Sequence, residues 1–432
     1  MPVMTGKKAL MEMLRAENTG YIFGNPGTSE SPIMDALEDF PDLRYILTTQ
    51  EGVAMGMADG YARATHNPSF VNLHIETGLA NGISLLTNAY DGGTPLVLTS
   101  GNKDIRKLTE GRTDLVQMVK QFTKWSAEIT HPEQMPSAIR RAFKEAKTAP
   151  TGPTYLAFSA NALDDEAQME IIPSSEGYLR IGPDMRAIED ASNLLSQASR
   201  PIIVIGDRVA QSGASSEAVR TAELIGAKVY ATSYSQMIFP TAHPQFMGLI
   251  NHGNPSSRKL LSSADVVLAV GAEVFSHVYF YFSRHCLDQD TKLIHIDQDP
   301  HEIDKIEPTN VGIVSDPKIA LGHLYNALES GMSGSAKKAA KKRISSVSKE
   351  KFAQKAAWQN RLKNRWDQNP MSPERMMAEI ASVLPTDTII VDDSVTSRDS
   401  IHGSIEFSRQ DSIYGATGGA LGWGMGGALG AK

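Results

Sequence analysis

Tyr21-Ile22-Phe23-Gly24-Asn25-Pro26-Gly27-Thr28-Ser29-Glu30 opens as a short apolar run and breaks at Gly-Asn-Pro-Gly. It reads as a strand that ends in a tight turn ahead of a helix. In an open α/β sheet this leaves Thr28 and Ser29 at the carboxyl edge, where such folds bind ligands. Taken alone, the same text also suits an ordinary strand-to-helix turn with a capped helix.

Working outward, apolar runs at Arg44 to Leu47, Phe70 to Leu73, Leu96 to Thr99 and Thr154 to Phe158 alternate with helical spacing at Gly52 to Ala64 and Pro136 to Ala146. That alternation predicts a parallel sheet flanked by helices. Breakers crowd Ile171 to Pro183, as in a linker, and a second α/β unit follows with strands at Pro201 to Ile205, Lys228 to Ala231, Asp265 to Val270 and Lys292 to Ile296. The basic stretch Gly331 to Lys351 reads either as an anion-binding patch or as a solvated linker helix, and the second suits its composition better. A third pattern opens with a Ser372-capped helix from Pro373 to Val383 and a strand at Thr388 to Val391. The expected division is therefore 1–172, 186–330, a basic linker 331–371 and a final α/β segment 372–432, all of the α/β class with successive doubly wound parallel sheets.

Among 432 residues, 41% hydrophobic and 21% charged is the composition of a globular protein. A formal charge of -7 argues against nucleic-acid binding, which needs clustered positive potential. The single cysteine, Cys286, excludes an intrachain disulfide and suits a reducing compartment. Lys7, Lys8 and Glu12 interrupt the N-terminal apolar pattern, and no apolar run reaches the roughly 18 residues of a membrane span. A cytoplasmic protein without membrane or nucleic-acid partners is expected.

Two further stretches carry chemistry. In Thr48-Thr49-Gln50-Glu51-Gly52, Thr48 and Glu51 have the spacing of a capping box, so Glu51 reads equally as a helix cap and as a shielded acid. In Asn72-Leu73-His74-Ile75-Glu76-Thr77-Gly78-Leu79-Ala80-Asn81-Gly82, a histidine ends a strand and small residues open a helix, leaving room for a ligand. A lone strand-end histidine is more often simply hydrogen-bonded in place. Successive strands nevertheless deliver Thr28, Glu51 and His74 to one sheet edge, and such convergence is what a site needs.

The ordered set Gly24-Asn25-Pro26-Gly27, Gln50-Glu51-Gly52 with Ala58-Asp59-Gly60-Tyr61-Ala62, Asn72-Leu73-His74, Thr94-Pro95-Leu96, Lys124-Trp125-Ser126 and Gly152-Pro153-Thr154-Tyr155-Leu156 resembles thiamine-diphosphate enzymes of the benzoylformate decarboxylase type, relatives of acetolactate synthase. Ala264 to Leu268 and Gly271 to Phe275 are similar to the middle domain of that family, and Ala416 to Gly430 to its glycine-rich cofactor loop. The resemblance implies a pyrimidine-binding domain, a middle domain and the beginning of a diphosphate-binding domain.

It further implies a catalytic role for Glu51 at the aminopyrimidine, for His74 in proton handling and for Thr28 at the substrate carboxylate. Asn25, Pro26, Asn81, Ser394, Val395, Thr396, Gly419 and Leu421 fall at cofactor-binding positions. A second family histidine falls near His277 but aligns one residue later, at Val278, beside the aromatic run Tyr279 to Phe282, which suits either a substrate pocket or core packing. The implied cofactors are thiamine diphosphate and Mg2+, the implied substrate is a small 2-oxo acid, and the implied assembly is a homodimer or homotetramer with shared sites.

The family holds its divalent ion with a Gly-Asp-Gly segment and a later Asn-Asn pair, and neither occurs up to Lys432. Magnesium needs several oxygen ligands, so no metal ligand is assigned, and the chain as written is expected to bind cofactor weakly or not at all, as an incomplete form of the enzyme. The leading expectation, for the complete form, is non-oxidative 2-oxo-acid decarboxylation to an aldehyde. Alternatives are acetolactate-synthase-like carboligation and a non-catalytic partner chain; a flavin is disfavoured because no glycine-rich fingerprint stands out at Gly206 or Gly271.

Overall fold

Strands such as Ser69–Leu73 and Pro201–Ile205 are buried at every position. Runs without alternation belong inside a parallel sheet covered by helices on both faces. The computed structural model describes the chain except for residues 108–110, 176–178, 234, 252 and 276–284. His277, Val278 and the aromatic run Tyr279 to Phe282 therefore lie outside the described residues.

The chain divides into two units, Met1–Leu179 with Gly415–Lys432, and Arg180–Tyr414. In the first, strands β1 (Tyr21–Asn25), β2 (Arg44–Leu47), β3 (Ser69–Leu73), β4 (Leu96–Asn102), β5 (Trp125–Ile129) and β6 (Thr154–Ser159) form a 6-stranded sheet in the order β2-β1-β3-β4-β6-β5. Every pairing is parallel. Helices α1 (Glu51–Thr65), α2 (Ile75–Asp91) and α3 (Met135–Lys147) are among those that cover it. One core face gathers Leu10, Leu14, Phe70, Ile139 and Phe143. The stacked rings of Phe70 and Phe143 lie 6.5 Å apart, and full burial of each contributes about 1.5–3 kcal/mol.

The second unit carries β7 (Pro201–Ile205), β8 (Lys228–Ala231), β9 (Phe246–Leu249), β10 (Val266–Val270), β11 (Lys292–Asp297) and β12 (Val311–Val314) in the order β9-β8-β7-β10-β11-β12, again all parallel. Both sheets are doubly wound. Strands β5, β9 and β12 are not read from the sequence. The first mixes charge with small residues, and the other two are short edges with part-exposed positions.

The basic stretch is the front of one 31-residue helix, α4 (Gly334–Asn364), which buries Ala340 and Val347 and turns most of its lysines to solvent. At the chain's end, α5 (Trp423–Ala431) belongs with the first unit. The span grouped as 372–432 in the sequence is thus parted after Tyr414. The cause is local: Gly426 and Gly430 let α5 lie on the backbone of α1, where an added Cβ would meet Val53 O at 3.1 Å and Met57 O at 1.9 Å. No helix among the described residues is long and apolar enough to cross a membrane.

Candidate active site

In the sheet order β2-β1-β3, the winding direction reverses between β1 and β3, and ligands of open α/β folds bind outside the carboxyl ends at such a point. Asn25 ends β1, His74 follows β3, and Glu51 opens α1 after β2. Thr48 ties the β2 edge to β1 by donating its hydroxyl to Gly24 O at 3.1 Å.

The helix cap at this point is Gln50, whose side chain accepts from Val53 N at 3.1 Å. The capping-box reading of Thr48 and Glu51 is therefore overturned, because the cap is Gln50, two residues after Thr48, and Glu51 is left to long-range partners. Its Oε1 accepts from Asn25 Nδ2 and its Oε2 from Asn81 Nδ2, each at 3.2 Å, and the residue is 8% exposed. A shielded carboxylate fixed by donors at both oxygens keeps its hydrogen bonds strong.

Nearby, His74 Nδ1 lies 2.8 Å from Glu30 Oε2. Glu30 is 0% exposed and meets donors on every side: Gly27 N at 2.9 Å, Gly101 N at 2.7 Å and the Ser29 hydroxyl at 3.0 Å, besides the imidazole. With Glu30 as acceptor, Nδ1 carries the hydrogen, and Nε2 of the neutral ring keeps a lone pair. The Ser29 Oγ also approaches Nδ1, at 3.1 Å. Gly27 is required here, since a Cβ would sit 2.2 Å from His74 Nδ1. A Cβ on Gly78 would meet Glu51 Oε1 at 3.3 Å and His74 Cβ at 3.4 Å, so the two side chains close on one point.

Glu30 is the residue that the sequence reading misses. Three residues after Gly27 it has ordinary cap spacing, and its partner is 44 positions away in the chain. Thr28 stands exposed at the rim of the same turn, beside the half-buried Pro26.

Of the remaining cofactor positions, Gly419 and Leu421 share the unit of Glu51, and Ser394, Val395 and Thr396 belong to the second unit. Ser394 gives both its amide, at 2.8 Å, and its hydroxyl, at 2.5 Å, to Asp392 Oδ1, while Val395 and Thr396 are exposed. The glycine-rich stretch Ala416 to Gly430 is a loop only as far as Gly422, and the helix α5 takes the rest. Gly419 faces open space and Leu421 is 75% exposed. Trp423 donates its indole N–H to the buried Asp59 carboxylate. Asp59 lies eight residues along α1 from Glu51, about 12 Å at 1.5 Å per residue.

The donor set at Glu51 fits the ring of thiamine diphosphate: the carboxylate accepts N–H groups at both oxygens, which is the bond a protonated ring nitrogen would make. Among the described residues, no group of three or more His, Cys, Asp or Glu side chains is arranged to hold a metal ion.

A shielded carboxylate beside a carboxylate-backed imidazole, at the switch point of a doubly wound sheet, defines a class of site suited to acid–base work. Residues 4–123 match the N-terminal TPP binding domain of thiamine pyrophosphate enzymes, and residues 188–324 match their central domain. The benzoylformate decarboxylase of Pseudomonas aeruginosa is 30% identical over 99% of this chain and 78% of its own length. A probable acetolactate synthase large subunit of Methanocaldococcus jannaschii is 31% identical over 75% of this chain and 56% of its own. The solved thiamine diphosphate-dependent 4-hydroxybenzoylformate decarboxylase of Rhodococcus jostii superposes with a TM-score of 0.81 at 27% identity, covering 99% of this chain and 78% of that one. The chain belongs to the thiamine pyrophosphate enzyme family.

Proposed function

We propose that the protein carries out thiamine-diphosphate-dependent, non-oxidative decarboxylation of a 2-oxo acid to an aldehyde, in the manner of benzoylformate decarboxylase. The observation that carries this reading is the Glu51 carboxylate, shielded and bracketed by Asn25 and Asn81 within reach of the Glu30-backed His74. When bound, the cofactor supplies a carbon nucleophile and an electron sink for loss of carbon dioxide.

Glu51 is the proton-holding group at the pyrimidine ring, and the Asn25 and Asn81 amides fix the plane of its carboxylate. His74 exchanges a proton through Nε2, while Glu30 holds the ring by Nδ1 and stabilises the charge it gains. The Thr28 hydroxyl, at the open rim, meets the substrate carboxylate. Asn25 and Pro26 would hold the cofactor from the turn after β1, and Ser394, Val395 and Thr396 would contact its diphosphate; for the magnesium that accompanies it in the family, no ligand group is assigned among the described residues.

Gly419 and Leu421 receive the pyrimidine, but of a second copy. Between them, Ala420 is held by Asn88, near the far end of α2 from their own Glu51, and Leu421, Met425 and Leu429 form an exposed apolar stripe at 75%, 84% and 57%. A homodimer that shares its sites, alone or as half of a tetramer, covers that stripe.

A carboligase reading is favoured by the similarity to the M. jannaschii chain. Product analysis separates the two. Incubation with benzoylformate and thiamine diphosphate-magnesium is expected to give benzaldehyde, and incubation with pyruvate to give no acetohydroxy acid. Acetohydroxy acid as the main product would replace decarboxylation by carboligation.

A further inference from the structure

Asn88, in the last turn of α2, is 0% exposed, and its side chain is spent on the chain's other end. Its Nδ2 donates to Ala420 O at 2.9 Å, and its Oδ1 accepts from Ala420 N at 3.1 Å. One side-chain amide thus pairs with both backbone groups of a single residue, as a neighbouring strand would. The Asn88 carbonyl also accepts the Thr417 hydroxyl, at 2.6 Å.

Steric fit supports the same pairing. A Cβ on Gly418 would lie 2.3 Å from Asn88 Oδ1, and one on Gly92 would lie 2.6 Å from Thr417 Oγ1. Gly422 closes the loop at φ 92°, a conformation that favours glycine. No other side chain makes this contact: aspartate lacks the donor, glutamine is one methylene too long, and leucine offers neither bond.

From this geometry we infer that Asn88 is a positioning residue that sets the conformation of the loop Thr417 to Gly422. One helix, α2, then serves two half-sites, with Asn81 at its start on its own Glu51 and Asn88 near its end on the glycine-rich loop. The step from loop to cofactor rests on the proposed function; the step from Asn88 to loop does not.

Asn88→Asp tests both steps. It keeps the acceptor for Ala420 N and sets a carboxylate oxygen against Ala420 O, at a buried site where an unmet or repelled group is costly. Gly418→Ala attacks the same contact from the loop side. Hydrogen exchange of the full chain, measured without cofactor, is expected to show loop amides exchanging about tenfold faster in either variant while amides of β1 to β4 stay unchanged. Titration with thiamine diphosphate-magnesium is expected to show affinity about tenfold weaker in Asn88→Asp, with kcat at saturating cofactor within about twofold of wild type.

Unchanged loop exchange in both variants would overturn the inference. A loosened loop with unchanged cofactor affinity would overturn its functional half. Failure of the wild-type chain to bind the cofactor would count against the proposed function alone, because the exchange result stands apart from it.

Discussion

Glu51 reaches its position through partners 26 and 30 residues away in the chain, Asn25 and Asn81. The sequence shows Asn25 in a small-residue turn and Asn81 in the small-residue opening of a helix, but their convergence on one carboxylate depends on β1 lying between β2 and β3. Glu30 is less legible still. Its cap-like spacing hides a fully buried carboxylate that is committed to His74. Glu30→Gln keeps the shape and exchanges one acceptor for a donor, so that the amide nitrogen faces either the imidazole N–H or a backbone N–H. In the proposed mechanism this lowers kcat by about 10²-fold or more and changes KM little, as loss of the carboxylate behind a catalytic histidine does. Steady-state kinetics with benzoylformate check it, and an unchanged kcat would remove Glu30 from the site.

At the scale of elements, the buried strands of both sheets stand out in the sequence as apolar runs, whereas of the four edge strands only β2 does. Partial exposure dilutes the pattern from which a strand is read. The glycines of Ala416 to Gly430 look uniform in the sequence but divide by task, those up to Gly422 shaping a loop and those beyond it packing on α1. A Cβ on Gly60 would sit 2.1 Å from Gly427 O, so Gly60→Ala is expected to destabilise the fold by about 1–3 kcal/mol. Gly322→Ala, in a helix and with nothing near its Cβ, is expected to stabilise it by about 0.5–1 kcal/mol. Urea unfolding of the two variants gives both numbers, and equal midpoints would contradict the packing.

The helix Arg398–Ser404 carries a titrating group of its own. Burial pushes the His402 imidazole down to about 4, against the pull of Asp392 toward a higher value. The unfolded chain binds this proton below about pH 6.5, and the folded chain only below about 4. Stability is therefore lost as pH falls through that window, by up to about 1.4 kcal/mol per unit from this group. His402→Gln removes that share of the slope. Urea titrations at pH 7 and pH 5 should show a smaller loss in the variant than in wild type, and identical losses would refute the assignment.

Across the whole molecule, two α/β sheets are readable from the alternation of strands and helices because the buried parallel strands leave apolar runs, although β5, β9 and β12 do not. The allocation of Gly415–Lys432 to the first unit is not readable, since it rests on close backbone contact that only the fold creates. The family membership joins these scales, with the N-terminal and central domains both matched and the Glu51 site at the switch point of the first. The central claim is that this site decarboxylates a 2-oxo acid with Glu51 as its proton-holding group. Its most direct test is aldehyde release from benzoylformate, with thiamine diphosphate and magnesium present, by wild type and by Glu51→Gln. Benzaldehyde formed by the wild type and reduced about 10²–10⁴-fold in a variant with unchanged circular dichroism is the predicted result. Equal benzaldehyde formation by the two proteins would contradict it.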